Sequence, residues 1–171
     1  MKTIFRIALM MVFVLGINTV AQSQAKFGHI DTNELLRLMP GRDAAQQELE
    51  TYARELETQF TAMQNEFQTK YQNYLENEST FSELVRQSRQ RELGSLQERI
   101  MEFQESAQED LMRKENRLLQ PIVEKARTAI ETVAKENGYT YVFDMSMGVV
   151  LYAEPGDDLM PKVKAKLGIT Q

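Results

Sequence analysis

The chain has 171 residues, of which 20 are basic and 25 acidic, and it contains no cysteine and a single histidine. The length fits one ordinary domain. The missing cysteines exclude a disulfide framework and thiol chemistry, and the acidic balance argues against a nucleic-acid binder, because attraction to phosphate needs the opposite sign.

Residues 1–25 read as an export signal. Lys2 and Arg6 precede an apolar run from Ile7 to Ile17, and small and polar residues end at Ser23-Gln24-Ala25. The run is shorter than the ~20 residues a membrane span needs, so a retained anchor is the weaker alternative. Cleavage is expected after Ala25, with Ala21 as the other candidate. Without Lys2 and Arg6 the chain keeps 18 basic against 25 acidic residues, a net charge of −7.

Phe27 to Ile30 has strand character. Asp31 or Thr32 then caps a short helix through Met39, which Pro40-Gly41 ends. From Arg42 to Asn137 the only helix breakers are Gly94 and Pro121. Leu49, Tyr52, Leu56, Phe60, Met63, Phe67, Tyr71 and Tyr74 follow one another at steps of three or four in an eleven-residue rhythm, about 3.67 residues per turn. A first long helix capped by Asp43 is expected to reach about Glu76, roughly 50 Å. Asn77-Glu78-Ser79-Thr80 is the turn signal. A second helix is expected from near Phe81, with Ser79 or Thr80 as its cap, carrying Leu84, Leu93, Leu96, Ile100, Phe103, Ala107 and Leu111. Pro121 is expected to kink that helix or open a new segment, and Asn137-Gly138 stops it.

After the stop the period becomes two. Tyr139, Tyr141 and Phe143 alternate with Thr140, Val142 and Asp144, Met145 to Gly148 reads as a tight connection, and Val149 to Ala153 as a returning strand. The expectation is a β-hairpin. A last short helix carries Leu159, Val163 and Leu167 on one face and ends at Gly168.

These elements describe a mainly α chain with a small β head and a long antiparallel helical hairpin inserted between the head segments. The division is a head over 26–41, an arm over 42–120 turning near 77–80, and the rest of the head over 121–171. A lone pair of helices buries one stripe each and leaves no second layer. Two or three strands from one chain make a marginal sheet. The head is therefore expected to complete its sheet with further copies through Phe27, Ile30, Tyr141, Phe143, Val150 and Tyr152.

The residues offer no catalytic or metal constellation. His29 has neither a second histidine nor a cysteine to work with. Asp31 and Asp144 read as a cap and a turn residue, and Asp157-Asp158 lacks the spacing of a calcium loop. Arg86, Arg89 and Arg91, and likewise Arg113, Lys114 and Arg117, are interleaved with Glu as on a solvated helix face. No cofactor and no enzymatic activity are expected.

Phe27-Gly-His-Ile-Asp31 followed by Glu34-Leu-Leu, and Ala126 to Ala134 leading into Tyr141-Val-Phe-Asp144 and Gly148-Val-Val-Leu-Tyr152, resemble the opening strand and the closing helix and strands of the Skp/OmpH-like periplasmic chaperone family. The resemblance implies a periplasmic homotrimer with helical arms around a cavity, holding unfolded outer-membrane β-barrel proteins without ATP. Phe60, Met63, Phe67, Tyr71, Tyr74, Phe81 and Leu84 are then the candidate client contacts, although a helical stripe of this kind also suits the seam of the hairpin. Flexible Met63, Met101 and Met112 suit varied partners. The best-known family members are strongly basic, and the acidic balance here argues against carrying over contact with membrane or lipopolysaccharide. The rival reading is a structural coiled-coil spacer or adaptor of the cell envelope, which would favour a continuous seven-residue seam.

Overall fold

The computed structural model describes residues 25–170. The export signal expected ahead of Lys26 lies, Ala25 apart, outside the described residues. Strand β1 (Phe27–Ile30) leads into helix α1 (Thr32–Leu38), and Asp31 caps that helix by accepting from the Glu34 amide at 2.9 Å. Helix α2 (Arg42–Asn77) runs outward, a single 3₁₀ turn (Glu78–Thr80) reverses the chain, and helix α3 (Glu83–Glu136) returns. Strand β2 (Tyr141–Asp144), a 3₁₀ turn (Pro155–Asp157) and helix α4 (Met160–Leu167) complete the fold.

The helix ends depart from the sequence reading for local reasons. Gly41, at φ 89°, takes a left-handed turn that brings the Arg42 amide to the Met39 carbonyl at 3.1 Å. The helix therefore starts at Arg42, and Asp43 lies in its first turn instead of capping it. At the far end the Thr80 hydroxyl donates to the Asn77 carbonyl at 2.7 Å, so it is taken. The cap of α3 is Ser82, whose Oγ accepts from the Val85 amide. Pro121 opens no new segment, because α3 runs unbroken for 54 residues through it. Proline removes the bond to the carbonyl four residues back and crowds that carbonyl, which weakens or bends a helix without obliging it to end. The stop comes where glycine permits it: Gly138, at φ 69°, lets the Tyr139 amide reach the Ala134 carbonyl at 2.9 Å.

The expected β-hairpin does not form. β2 pairs in parallel with β1, in the register Phe27↔Tyr141, Gly28↔Val142, His29↔Phe143 and Ile30↔Asp144. The out-and-back arm returns the chain to the start of β1, so the second strand enters in the same direction as the first. Gly148 does close a tight turn, its amide donating to the Met145 carbonyl at 3.2 Å. Residues 149–153 then take no strand conformation. Successive β1 carbonyls explain where the chain goes. Ile30 O accepts from the Met145 amide at 2.9 Å on the β2 side, and His29 O accepts from the Leu159 amide at 2.9 Å. Neighbouring carbonyls of a strand point to opposite edges, so 149–153 must cross to the far edge of β1 before Leu159 is buried.

The core lies beneath the inner face of this sheet. Ile30 from β1, Leu35 and Met39 around α1, Ala126, Ala129 and Val133 from α3, and Leu159, Met160 and Val163 at α4 form one buried cluster. The small side chains of α3 let α1 and α4 approach it closely. The inner face is thus covered within one chain. The outer face of the sheet, with Phe27, Tyr141 and Phe143, stands open.

One polar knot ties the end of β2 to the start of α1. Asp144 accepts from the Thr32 hydroxyl at 2.6 Å, from the Thr32 amide at 3.2 Å and from the Ser146 amide at 2.9 Å. Burial works against the charged carboxylate, but the bonds from Thr32 and Ser146 outweigh it and hold the group below its ordinary value. A carboxyl held low in the folded state stabilises the fold above the ordinary unfolded value and loses that contribution as pH falls through the folded one. Asp144→Asn is expected to lower stability by about 1 kcal/mol at pH 7. The difference from the unsubstituted chain should shrink below about pH 4. Urea midpoints of both proteins at pH 7 and pH 3 test this, and an equal difference at both pH values refutes it.

Candidate functional site

Three surfaces follow from the sequence pattern: the seam between α2 and α3, the arm tip, and the outer face of the head sheet.

Along the seam, Leu56, Phe60, Met63 and Phe67 of α2 are half-buried, as are Ile100, Phe103, Ala107 and Leu111 of α3, and Leu96 is fully buried. Small Ala53 and Ala107 leave the two helices imperfectly filled there. A cleft of about 300 Å³ opens between Ala53, Leu56 and Phe60 on one side and Phe103, Ala107 and Leu111 on the other. Ion pairs stitch the edges. Lys114 pairs with Glu48 near the base, and Lys70 with Glu92 nearer the tip. The bond from Lys70, joined by Arg89, holds the Glu92 carboxyl below its ordinary value, and its partner raises the Lys70 ammonium. Arg113 is held to Asp110 and Glu109 of its own helix.

At the tip, Tyr74 is buried. Its hydroxyl donates to Glu78 at 2.8 Å and accepts from the Gln90 amide nitrogen at 2.9 Å, and its ring lies 6.2 Å from that of Phe81. The bond to Glu78, with burial, raises the tyrosine above its ordinary value. Tyr74 and Phe81 therefore brace the reversal. Tyr71, its ring stacked 6.0 Å from Phe67, and Leu84, 73% exposed, face outward beside Leu75 and Val85. The seven candidate client residues thus fall into three groups: seam, tip brace and exposed tip.

The head presents the other apolar surface. Phe27, Tyr141 and Phe143 stand on the outer face, about half exposed, with the Phe27 ring 5.8 Å from Tyr141 and 6.0 Å from Phe143. Beside Phe27 and Phe143 lies a cleft of about 390 Å³, also lined by His29, Val150 and Tyr152. Val149, Leu151 and Tyr152 in the crossing segment are open, Leu151 at 96%. Five of the six candidate head residues meet here, and Ile30 is instead on the inner face in the core. Strand alternation separates it from Phe27. His29 Nε2 lies 3.1 Å from the Glu154 carbonyl oxygen, a strand-to-loop tie. Among the described residues no group of three histidine, aspartate or glutamate side chains is arranged to hold a metal ion.

Met101 and Met112, two of the flexible methionines suited to varied partners, stand exposed on α3, as does Val123 nearer the head.

Comparison with known proteins places the chain among similar proteins over nearly its whole length. A family model described as outer membrane protein (OmpH-like) matches residues 26–167. Two chaperone proteins Skp, from Photorhabdus laumondii and Photorhabdus luminescens, are each 24% identical over 149 residues, covering 87% of this chain and 89% of theirs. A solved outer membrane chaperone (OmpH-like) from Caulobacter crescentus CB15 has the same fold, with a TM-score of 0.73 at 14% identity, covering 88% of each chain.

Proposed function

As the chain belongs to the OmpH-like outer membrane protein family, we propose that it is an ATP-independent periplasmic holdase that cages unfolded outer-membrane β-barrel proteins between helical arms. The observation that carries this reading is the pairing of a long two-helix arm with a head whose outer sheet face is apolar and open. Exposed aromatic and aliphatic clusters of this kind favour association. In this reading the outer face, with Phe27, Tyr141, Phe143, Val150 and Tyr152, is covered by further copies in a homotrimer, and three arms enclose the client. Residues 26–41 and 121–171 serve as the head and 42–120 as the arm. Tyr71 and Leu84 at the tip meet clients directly, while Phe60, Met63 and Phe67 hold the arm together and offer their exposed edges.

Capture by scattered apolar contacts is weak and sequence-tolerant, and release needs no nucleotide when the client gains more by folding in its membrane. The test is to dilute a urea-unfolded outer-membrane β-barrel protein into buffer with and without the mature chain. Light scattering is expected to fall with added chain and to vanish at an excess of trimer. Unchanged scattering at that excess sinks the holdase reading and leaves the spacer or adaptor in its place. Sedimentation tests the trimer separately, and a persistent monomer overturns it.

A further inference from the structure

Lys26 is fastened to the far end of the head by every polar group it has. Its amide donates to Thr140 Oγ1 at 3.2 Å, and its carbonyl accepts from the Thr140 amide at 2.7 Å and the Tyr141 amide at 3.3 Å. Its ammonium donates to the Asn137 carbonyl at 3.0 Å and lies 4.1 Å from the centre of the Tyr139 ring. A cation there also suits the C-terminal end of α3, where the carbonyls carry partial negative charge. Phe27, the next residue, is paired with Tyr141. Lys26 thus joins segments 114 positions apart in the chain, at the junction of α3 and β2. Ala25, immediately before it, is exposed. The small residues Ser23 and Ala25 mark this same place as the end of the export signal.

We propose that the Ala25–Lys26 bond is the processing site and that the closed head withholds it, so that removal of the signal comes before the head folds. The inference rests on the export part of the proposed function. Hydrolysis adds water across this amide, leaving a carboxylate on Ala25 and an amine on Lys26. A peptidase has to hold the chain extended on both sides of the bond it cuts. On the far side those residues are Lys26 and Phe27, whose backbone is already paired in the head. A cut in the closed head waits for β1 to detach, and its rate follows the small population in which it has done so. A cut after Ala21 is free of that limit, since four residues separate it from Lys26. The first residue of the mature chain therefore records the order of events: Lys26 when trimming comes first, Gln22 when folding does.

The experiment uses the full precursor and membrane vesicles that carry a signal peptidase, with the new N-terminus read by mass spectrometry. Precursor diluted from urea straight onto the vesicles is expected to yield a chain that starts at Lys26. Precursor refolded first is expected to yield that product about tenfold more slowly. Two variants leave the residues around the bond untouched. Thr140→Val removes the acceptor of the Lys26 amide, and after refolding it should be cut about threefold faster than the refolded parent. Leu159→Ala, which empties part of the core under β1, should bring the refolded rate close to that of the precursor diluted from urea. Neither should change the rate from urea. Equal parent rates before and after refolding overturn the proposal. So does a product from the urea-diluted precursor that starts at Gln22, and so do two refolded variants cut no faster than the refolded parent. If no precursor is cut at all, the export reading fails and this inference with it, while the scattering test of holdase action on the mature chain keeps its own outcome.

Discussion

Leu159→Ala is expected to lower the stability of the head by about 2–5 kcal/mol, the range for deleting a fully buried leucine side chain. Leu159 is 0% exposed, and it packs within the cluster of Ile30, Leu35, Val133 and Val163. The head is small, so the loss is a large share of the ~5–15 kcal/mol that holds a domain together. Leu159 also fixes a topological choice. Its amide bonds to His29 O, and its burial draws the crossing segment to the far edge of β1. The variant should therefore loosen residues 149–158 as well as lower the midpoint. Urea unfolding followed by far-ultraviolet circular dichroism, at fixed protein concentration, measures the first effect. Hydrogen exchange at the Leu159-equivalent amide measures the second. A loss below about 1 kcal/mol refutes the central place given to this residue.

Gly28→Ala is expected to destabilise by about 1–3 kcal/mol, as overpacked cores do. Gly28 lies in β1 with its α-carbon pressed to the core. A methyl group there overlaps Leu159 Cδ1 and meets the Tyr139 ring at 2.9 Å. Neither neighbour can yield cheaply. Leu159 is enclosed, and the Tyr139 ring is flanked by Lys26 Nζ at 4.1 Å and Lys162 Nζ at 5.4 Å from its centre. The two substitutions should couple. Leu159→Ala vacates part of the space that the Gly28→Ala methyl needs, so the double variant should be more stable than the sum of the two losses predicts, by at least about 0.5 kcal/mol. Strict additivity in a double-mutant cycle contradicts the close contact between them.

Read in the sequence, the eleven-residue rhythm of Leu49 to Tyr74 was sufficient for a long helical arm, because helical periodicity is written in neighbouring residues. The reversal at Asn77–Thr80 and the stop at Asn137-Gly138 were legible for the same reason. The caps at Gly41 and Ser82 were less so. Each depended on which of several competent residues was free, and a hydroxyl already bonded elsewhere, as at Thr80, gives no sign of it in the sequence. The hairpin expectation for 139–153 failed on a long-range fact. Alternation marks Tyr141 to Asp144 as a strand but does not name its partner, and the partner lies over a hundred residues earlier.

The candidate surfaces divide along the same line. That Phe60, Met63 and Phe67 share a stripe was evident from spacing alone. That Tyr74 is bonded into the tip while Tyr71 faces outward required the second helix, since three residues on one stripe separate only when a neighbour covers one of them. By contrast, the separation of Ile30 from Phe27, three positions apart and so on opposite faces of β1, follows from strand alternation alone. The order of the helices, the position of their reversal and the net charge follow from local chemistry, so the sequence by itself determined them. The parallel pairing of β1 with β2, the inward turn of Leu159 and the burial of Tyr74 beside an exposed Tyr71 depend on which distant segments compete for the same buried space. Only the tertiary structure decides that competition, because burial is a property of the packed chain and of no single segment within it.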